Sequence, residues 1–259
     1  MQFLPYGRQT ITETDLEAVR EVLFAPMLTT GPKVGELEAV FASRVGAADA
    51  IACSNGTAAL HMAAIALGLG PYDTVLAPTM SFLASANGPR YTGARIVFMV
   101  CDPATGLVTR ETFLEALDRA GDRVSAAVIV HLNGEYADME AIAAEARPRG
   151  IRLIEDACHA LATRFAHGSA MAEVGSCVHS DMACFSMHPV KTVTMGEGGV
   201  VTTNDGSLAH RLRLARSHGI TRDPADFRNR EMAFDESGEA NPWYYEMAEP
   251  GYNYRAPDL

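Results

Sequence analysis

The sequence predicts an α/β protein built on a mostly parallel sheet covered by helices. Three observations point there. Short apolar runs recur along the chain without polar alternation, as strands buried on both faces require. Helical stretches separate them, the arrangement that parallel strands need in order to cross over. At 259 residues and 48% hydrophobic, the chain is long enough to bury both faces of such a sheet.

Taken in order, "AVFASRVGA" ends a helix that begins near Val34, and "ADAIACS" is a strand that stops at "NGT". "AALHMAAIALGLG" is a helix, rich in strong formers and closed by glycine. "DTVLAP", "RIVFMV", "SAAVIVHL" and "IRLIEDA" are strands, with "DMEAIAAEARPRG" among the intervening helices. "DMACFSMH" and "GGVVTTN" are two more strands lying close together, and the helix "GSLAHRLRLARSHG" follows. From about 221 to 250 the periodicity fades into a charged, proline-bearing loop region before "GYNYRAPDL". Internal repeats and an interdomain linker are lacking, so residues 1–259 read as one large domain with an N-terminal arm over about the first 33.

A formal net charge of -11 argues against broad binding to nucleic acid or an anionic membrane surface, since both need a basic face. No stretch approaches the roughly 18 uninterrupted apolar residues of a membrane helix. The opening "MQFLPYGRQT" has neither a basic leader nor an apolar signal core. Cys53, Cys101, Cys158, Cys177 and Cys184 form an odd set without a C-x-x-C pair. That set fits reduced thiols in a cytoplasmic protein, mostly packed as small hydrophobes.

Chemistry centres on "CFSMHPVKTVTMGEGGVV". Lys191 is one of only two lysines in the chain, and it lies between two apolar strands. Burying an unpaired ammonium is unfavourable and makes the amine nucleophilic, able to condense with an aldehyde as pyridoxal phosphate requires. Taken alone, a surface lysine in a strand connection explains the position as well. The remaining parts of a cofactor site decide between these readings. "SNGTAAL" places Gly56 and Thr57 at a strand-to-helix turn whose N–H groups suit a phosphate, although an ordinary helix cap reads the same way. Asp156 ends the strand in "LIEDACHA", where a carboxylate keeps a pyridine nitrogen protonated or else simply caps a helix. Glu155 faces the other way on that strand. Phe82 in "PTMSFLAS" is an aromatic candidate to lie over the ring, with a core phenylalanine as the plainer explanation. Ser186 adds a hydroxyl, and the "GEGG" run over 196–199 permits a tight turn.

With these residues in place, "SNGTAALHMAAIALGLG", "VHLNGEYADMEAI", "LIEDACHA", "CFSMHPVKTVTMGEGGVVTTND" and "GYNYR" resemble, in the same order, the motifs of the DegT/DnrJ/EryC1/StrS family of sugar aminotransferases. The resemblance covers nearly the whole chain. It implies the type I fold of pyridoxal-phosphate enzymes, pyridoxal 5'-phosphate as cofactor, a homodimer and L-glutamate as amino donor. Lys191 would then be the attachment lysine, Asp156 the pyridine-nitrogen partner and His159 its neighbour. Gly56, Thr57 and Ser186 would hold the phosphate, Phe82 would stack on the ring, and Asn253 would reach the phosphate of the neighbouring subunit. Arg255 stands in the same motif without an assigned role.

Within that family, "YGRQTIT", "SHGITRDP" and "PWYYEM" are similar to the branch serving pseudaminic acid biosynthesis, which aminates C4 of a UDP-linked 4-keto-6-deoxy-N-acetyl-L-altrosamine. Other nucleotide-4-keto-sugar aminotransferases are the nearest alternative. Dehydratases of the same fold carry histidine in place of the lysine, which is retained here, and an inactive homologue is the remaining reading. There are two departures from the family pattern. Glu135 stands where relatives commonly have glutamine, and relatives continue past "GYNYR" into a smaller C-terminal domain that this chain is expected to lack.

Overall fold

The computed structural model describes residues 7–121 and 123–259, so most of the opening segment read for a leader lies outside the described residues. Eleven strands are described: β1 (Asp49–Cys53), β2 (Thr74–Pro78), β3 (Arg95–Met99), β4 (Val124–Val130), β5 (Arg152–Asp156), β6 (Arg164–His167), β7 (Ala170–Glu173), β8 (Met182–Ser186), β9 (Gly199–Thr203), β10 (Ile220–Thr221) and β11 (Glu246–Met247). Seven of them form one sheet in the order β1-β9-β8-β5-β4-β2-β3. The pairs from β8 through β5, β4 and β2 to β3 are all parallel, while β9 runs antiparallel to both β1 and β8. The mostly parallel sheet predicted from the apolar runs is therefore present, with one reversed strand.

The helices are α1 (Glu13–Leu23), α2 (Pro32–Val45), α3 (Gly56–Ala66), α4 (Ala84–Tyr91), α5 (Arg110–Ala120), α6 (Met139–Ala146), α7 (Gly206–Arg216) and α8 (Arg230–Ala233). On one face, side chains of α3, α4 and α7 pack with Ile51, Val75, Val128, Ile154 and Val201 of the sheet. Residues of α2, α5 and α6 cover the opposite face. α3 is apolar nearly all round and almost wholly buried, as suits a helix enclosed by the sheet and two other helices. The two layers of helices and the sheet between them match the expected three-layer architecture.

The sequence reading did not assign α1, α4, α5 or the β6–β7 hairpin. The region read as loop over 221–250 holds a short 3-10 turn at Pro224–Asp226, α8 and the short β10–β11 pair.

Backbone contacts at the strand ends bring the parts of the site together. Gly199 starts β9 opposite both Cys53 of β1 and Ser186 of β8. A Cβ on Gly199 would lie 2.5 Å from the Asn55 carbonyl oxygen and 2.6 Å from its carbonyl carbon. Because those atoms are backbone, no side chain can swing away to relieve the contact. Gly199→Ala is expected to destabilise the fold by about 1–3 kcal/mol through overpacking, measurable by urea unfolding. It should also displace the turn at 54–57.

The last motif is tied down along its length. Tyr252 and Tyr254 donate their backbone N–H groups to Ala215 and Arg216 at the end of α7, and the Tyr254 carbonyl accepts the Ser54 N–H at 2.8 Å. Asp258 then caps α2, its carboxylate accepting N–H bonds from Gly31 at 2.7 Å and Lys33 at 2.8 Å.

Candidate active site

The site lies at the carboxyl ends of β1, β5 and β8, the edge where ligands bind in open α/β sheets. Asn55 caps α3 through an Oδ1 bond to the Ala58 N–H at 2.8 Å, which satisfies the plainer reading of "SNGT". The cap leaves the Gly56 and Thr57 N–H groups, at the first positions of α3, without an intrahelical acceptor. The turn is therefore a cap that also leaves two N–H groups able to receive an anion. A Cβ on Gly56 would meet Ser186 Cβ at 2.8 Å and Cys158 Sγ at 3.4 Å, so glycine there lets the end of β8 and the segment after β5 close around the helix start.

Strand alternation sends Asp156 toward the face covered by α3 and α4, and Glu155 to the other, as the sequence indicated. Asp156 is 5% exposed. Its Oδ2 accepts a hydrogen bond from the Ser85 hydroxyl of α4 at 2.6 Å, and its Oδ1 accepts the Cys158 N–H at 3.2 Å. Glu155 Oε2 pairs with His131 Nε2 at 2.7 Å, and the Ser180 hydroxyl donates to its other oxygen. His131 Nδ1 accepts the Ala137 N–H at 3.1 Å, so the ring proton sits on Nε2 and is donated to Glu155. This buried pair orders the segment after β4, whose Asn133 N–H reaches His159 Nδ1 at 3.3 Å. His159 thus has one ring nitrogen satisfied and the other free to donate. Burial lowers its pKa, and the Lys191 ammonium lowers it further against the opposing effect of Asp156.

Lys191 lies in the 187–198 connection between β8 and β9, closed at its base by Met187 N–H to the Gly198 carbonyl at 2.8 Å. The lysine is half-buried, not enclosed as the flanking apolar strands suggested, because the connection projects beyond the sheet edge. Its backbone N–H bonds the His188 carbonyl at 2.8 Å. The fields of Lys191 and Asp156 both act on Cys158, whose thiol is pushed well above its usual range by burial first and by Asp156 next, with Lys191 opposing. Amine, carboxylate, thiol and imidazole therefore share one locality.

Phe82 is 68% exposed, which takes it out of the core and leaves its ring available at the rim. Its carbonyl accepts the Ser85 N–H at 3.1 Å, tying its loop to the residue that holds Asp156. Asn253 is exposed, and its backbone bridges Ser217 beside the Tyr254–Ser54 bond. Glu135 is exposed on the turn that carries Asn133. The sequence reading did not single out Ser85, Cys158 or the His131–Glu155 pair as parts of the site. A serine in a short helix has no distinctive spacing, and only the packing of α4 on the sheet brings it to Asp156.

An amine, a buried carboxylate and an open helix start with an adjoining hydroxyl are the groups that pyridoxal phosphate requires for its aldehyde, ring nitrogen and phosphate. The residues present fit that group. The chain belongs to the DegT/DnrJ/EryC1/StrS aminotransferase family, whose model matches residues 9–259. The family assignment indicates pyridoxal phosphate as the cofactor.

Over 258 residues the chain is 36% identical to the UDP-4-amino-4-deoxy-L-arabinose–oxoglutarate aminotransferase of Shewanella sediminis, covering all of this chain and 62% of the relative. The aminotransferase TlmJ of Streptoalloteichus hindustanus is a solved structure 31% identical with a TM-score of 0.84, covering 99% of this chain and 63% of the other. Helicobacter pylori PseC, an aminotransferase involved in the biosynthesis of pseudoaminic acid, superposes with a TM-score of 0.82 at 23% identity, covering 98% of this chain and 62% of the other. At that identity the likeness to PseC shows the fold alone. The chain thus spans about three-fifths of the length of these relatives. No helix among the described residues is long and apolar enough to cross a membrane, and all five cysteines are free.

Proposed function

We propose that this protein transfers an amino group from L-glutamate to the keto carbon of a UDP-linked 4-keto sugar. The observation that carries this reading is the meeting of Lys191, Asp156 and His159 with the Gly56–Thr57 turn and Ser186 at one sheet edge. Pyridoxal phosphate, when bound, supplies an electron sink for the carbanion formed at the amino-acid carbon. Lys191 would hold the cofactor's aldehyde through Nζ. Its amine, when free, would take up a proton as base and return it as acid. Asp156 would hold the proton on the ring nitrogen, and its burial would keep water from competing for that contact. Gly56, Thr57 and Ser186 would hold the phosphate, Phe82 would cover the ring, and His159 Nε2 would donate a hydrogen bond beside it.

A homodimer completes the site in this reading, with Asn253 reaching the partner's phosphate. α1 and the residue after it leave Leu16, Val19, Leu23 and Phe24 exposed, an apolar surface suited to a second copy.

For the sugar itself, the motif resemblance supports 4-keto-6-deoxy-N-acetyl-L-altrosamine and a place in pseudaminic acid biosynthesis. The 36% identical Shewanella relative supports a second reading, a UDP-linked 4-keto pentose. Purified protein given pyridoxal phosphate, L-glutamate and a panel of UDP- and dTDP-linked 4-keto sugars is expected to release 2-oxoglutarate and one aminated UDP-sugar, identified by mass. Turnover of the hexose alone selects the first sugar and of the pentose alone the second. Turnover of no UDP-linked sugar in the panel would refute the substrate class.

A further inference from the structure

We propose that Ser85 is a positioning residue that aims Asp156 at the cofactor's ring nitrogen and couples it to the loop bearing Phe82. The inference rests on the assignment of Asp156 in the function proposed above. Ser85 is 1% exposed, and its hydroxyl lies 2.6 Å from Asp156 Oδ2. The same oxygen lies 2.5 Å from the Ser81 hydroxyl and 3.1 Å from the Phe82 carbonyl.

A hydroxyl has one proton to donate, and an ionised carboxylate only accepts. The Ser85 proton must therefore go to Asp156, which turns Ser85 Oγ into the acceptor for Ser81. The result is a one-way chain, Ser81 to Ser85 to Asp156, running inward from a half-buried serine to a buried carboxylate. With the Cys158 N–H on Oδ1, each carboxylate oxygen is held by a donor. The plane of the carboxylate is fixed from two elements, α4 and the segment after β5, and a carboxylate fixed in this way presents its remaining lone pairs in one direction. The Ser85 N–H also bonds the Phe82 carbonyl at 3.1 Å, so the residue that orients the carboxylate anchors the loop of the aromatic ring as well.

The test compares Ser85→Ala and Ser85→Thr with the unaltered protein. Pyridoxal phosphate labelled with nitrogen-15 at the ring is titrated into each, and affinity, ring-nitrogen chemical shift and the visible circular dichroism of the bound cofactor are recorded. Ser85→Ala is expected to fold normally by far-ultraviolet circular dichroism and to bind pyridoxal phosphate about ten- to a hundredfold more weakly, the size of one hydrogen bond to a charged group. Its ring-nitrogen resonance and visible dichroism should both move. Ser85→Thr, which keeps the hydroxyl, should restore all three readouts. A purely structural serine would lower stability without moving the nitrogen resonance of the cofactor that still binds. Normal binding with an unchanged resonance in Ser85→Ala overturns the proposal, as does a threonine variant that folds but behaves like alanine. If the unaltered protein takes up no pyridoxal phosphate, the cofactor reading itself falls and this proposal with it.

Discussion

Lys191→Ala is expected to abolish amino transfer while leaving the fold intact. In the proposed role two functions would disappear together: attachment to the cofactor's aldehyde, and proton transfer, which alone is worth about 10²–10⁴-fold. Activity should fall by about 10⁴-fold or more. Stability should hardly change, because among the described residues the Lys191 amine has no salt-bridge partner, and the 187–198 connection is closed by backbone bonds that alanine preserves. Lys191→Arg sharpens the test. Arginine keeps the positive charge near Asp156 and His159, yet its guanidinium stays protonated and serves neither as nucleophile nor as proton carrier at neutral pH. Arginine is therefore expected to fail as fully as alanine. Borohydride reduction of the cofactor-loaded protein, followed by peptide mapping, should place the label on residue 191. Retained transfer in either variant, or a label elsewhere, removes the assignment.

The position of that lysine was legible because the strands around it were. Runs such as "SAAVIVHL" and "DMACFSMH" have no polar face, and burial on both sides of the sheet explains why. What such runs do not encode is direction. β9 reads like its neighbours but enters the sheet antiparallel, since a buried strand of either sense shows the same apolar face to both layers. The missed helix α4 has a different cause. "ASANGPRY" carries glycine and proline and too little apolar pattern to stand out, yet Gly88 is where the helix crosses closest to α3. A Cβ there would lie 2.8 Å from Leu60 Cβ. Close helix packing selected a residue that weakens the local signal.

The catalytic candidates that end strands or start helices were readable because backbone geometry places them. The residues that hold those candidates in position come from distant parts of the chain. Ser85 lies 71 positions from Asp156, and Asp258 caps a helix 227 positions away. The two readings offered for "SNGT", a helix cap or a phosphate turn, proved compatible. Asn55 performs the first through its side chain, and the backbone N–H groups of the next two residues remain for the second. The plainer reading of Phe82 as a core residue failed because the loop before α4 turns outward at the sheet edge.

Asp156→Asn should separate the electrostatic role of the carboxylate from its packing. Asparagine has the same shape, keeps an oxygen to accept from Ser85 or from the Cys158 N–H, and fits the same buried space. What it loses is the negative charge proposed to face the ring nitrogen, in surroundings where burial makes a charge act strongly. Amino transfer should fall by about 10²–10³-fold, the scale of removing one aimed electrostatic partner, with the loss mainly in kcat. Asp156→Ala goes further by removing the acceptor altogether. The Ser85 hydroxyl still has the Phe82 carbonyl at 3.1 Å to receive its proton, so the fold should survive this change too. Thermal unfolding, steady-state kinetics and cofactor titration on both variants give the answer. A folded Asp156→Asn protein with full kcat would show that the charge of Asp156 has no part in the chemistry, and the ring-nitrogen partner would have to be sought elsewhere at the sheet edge.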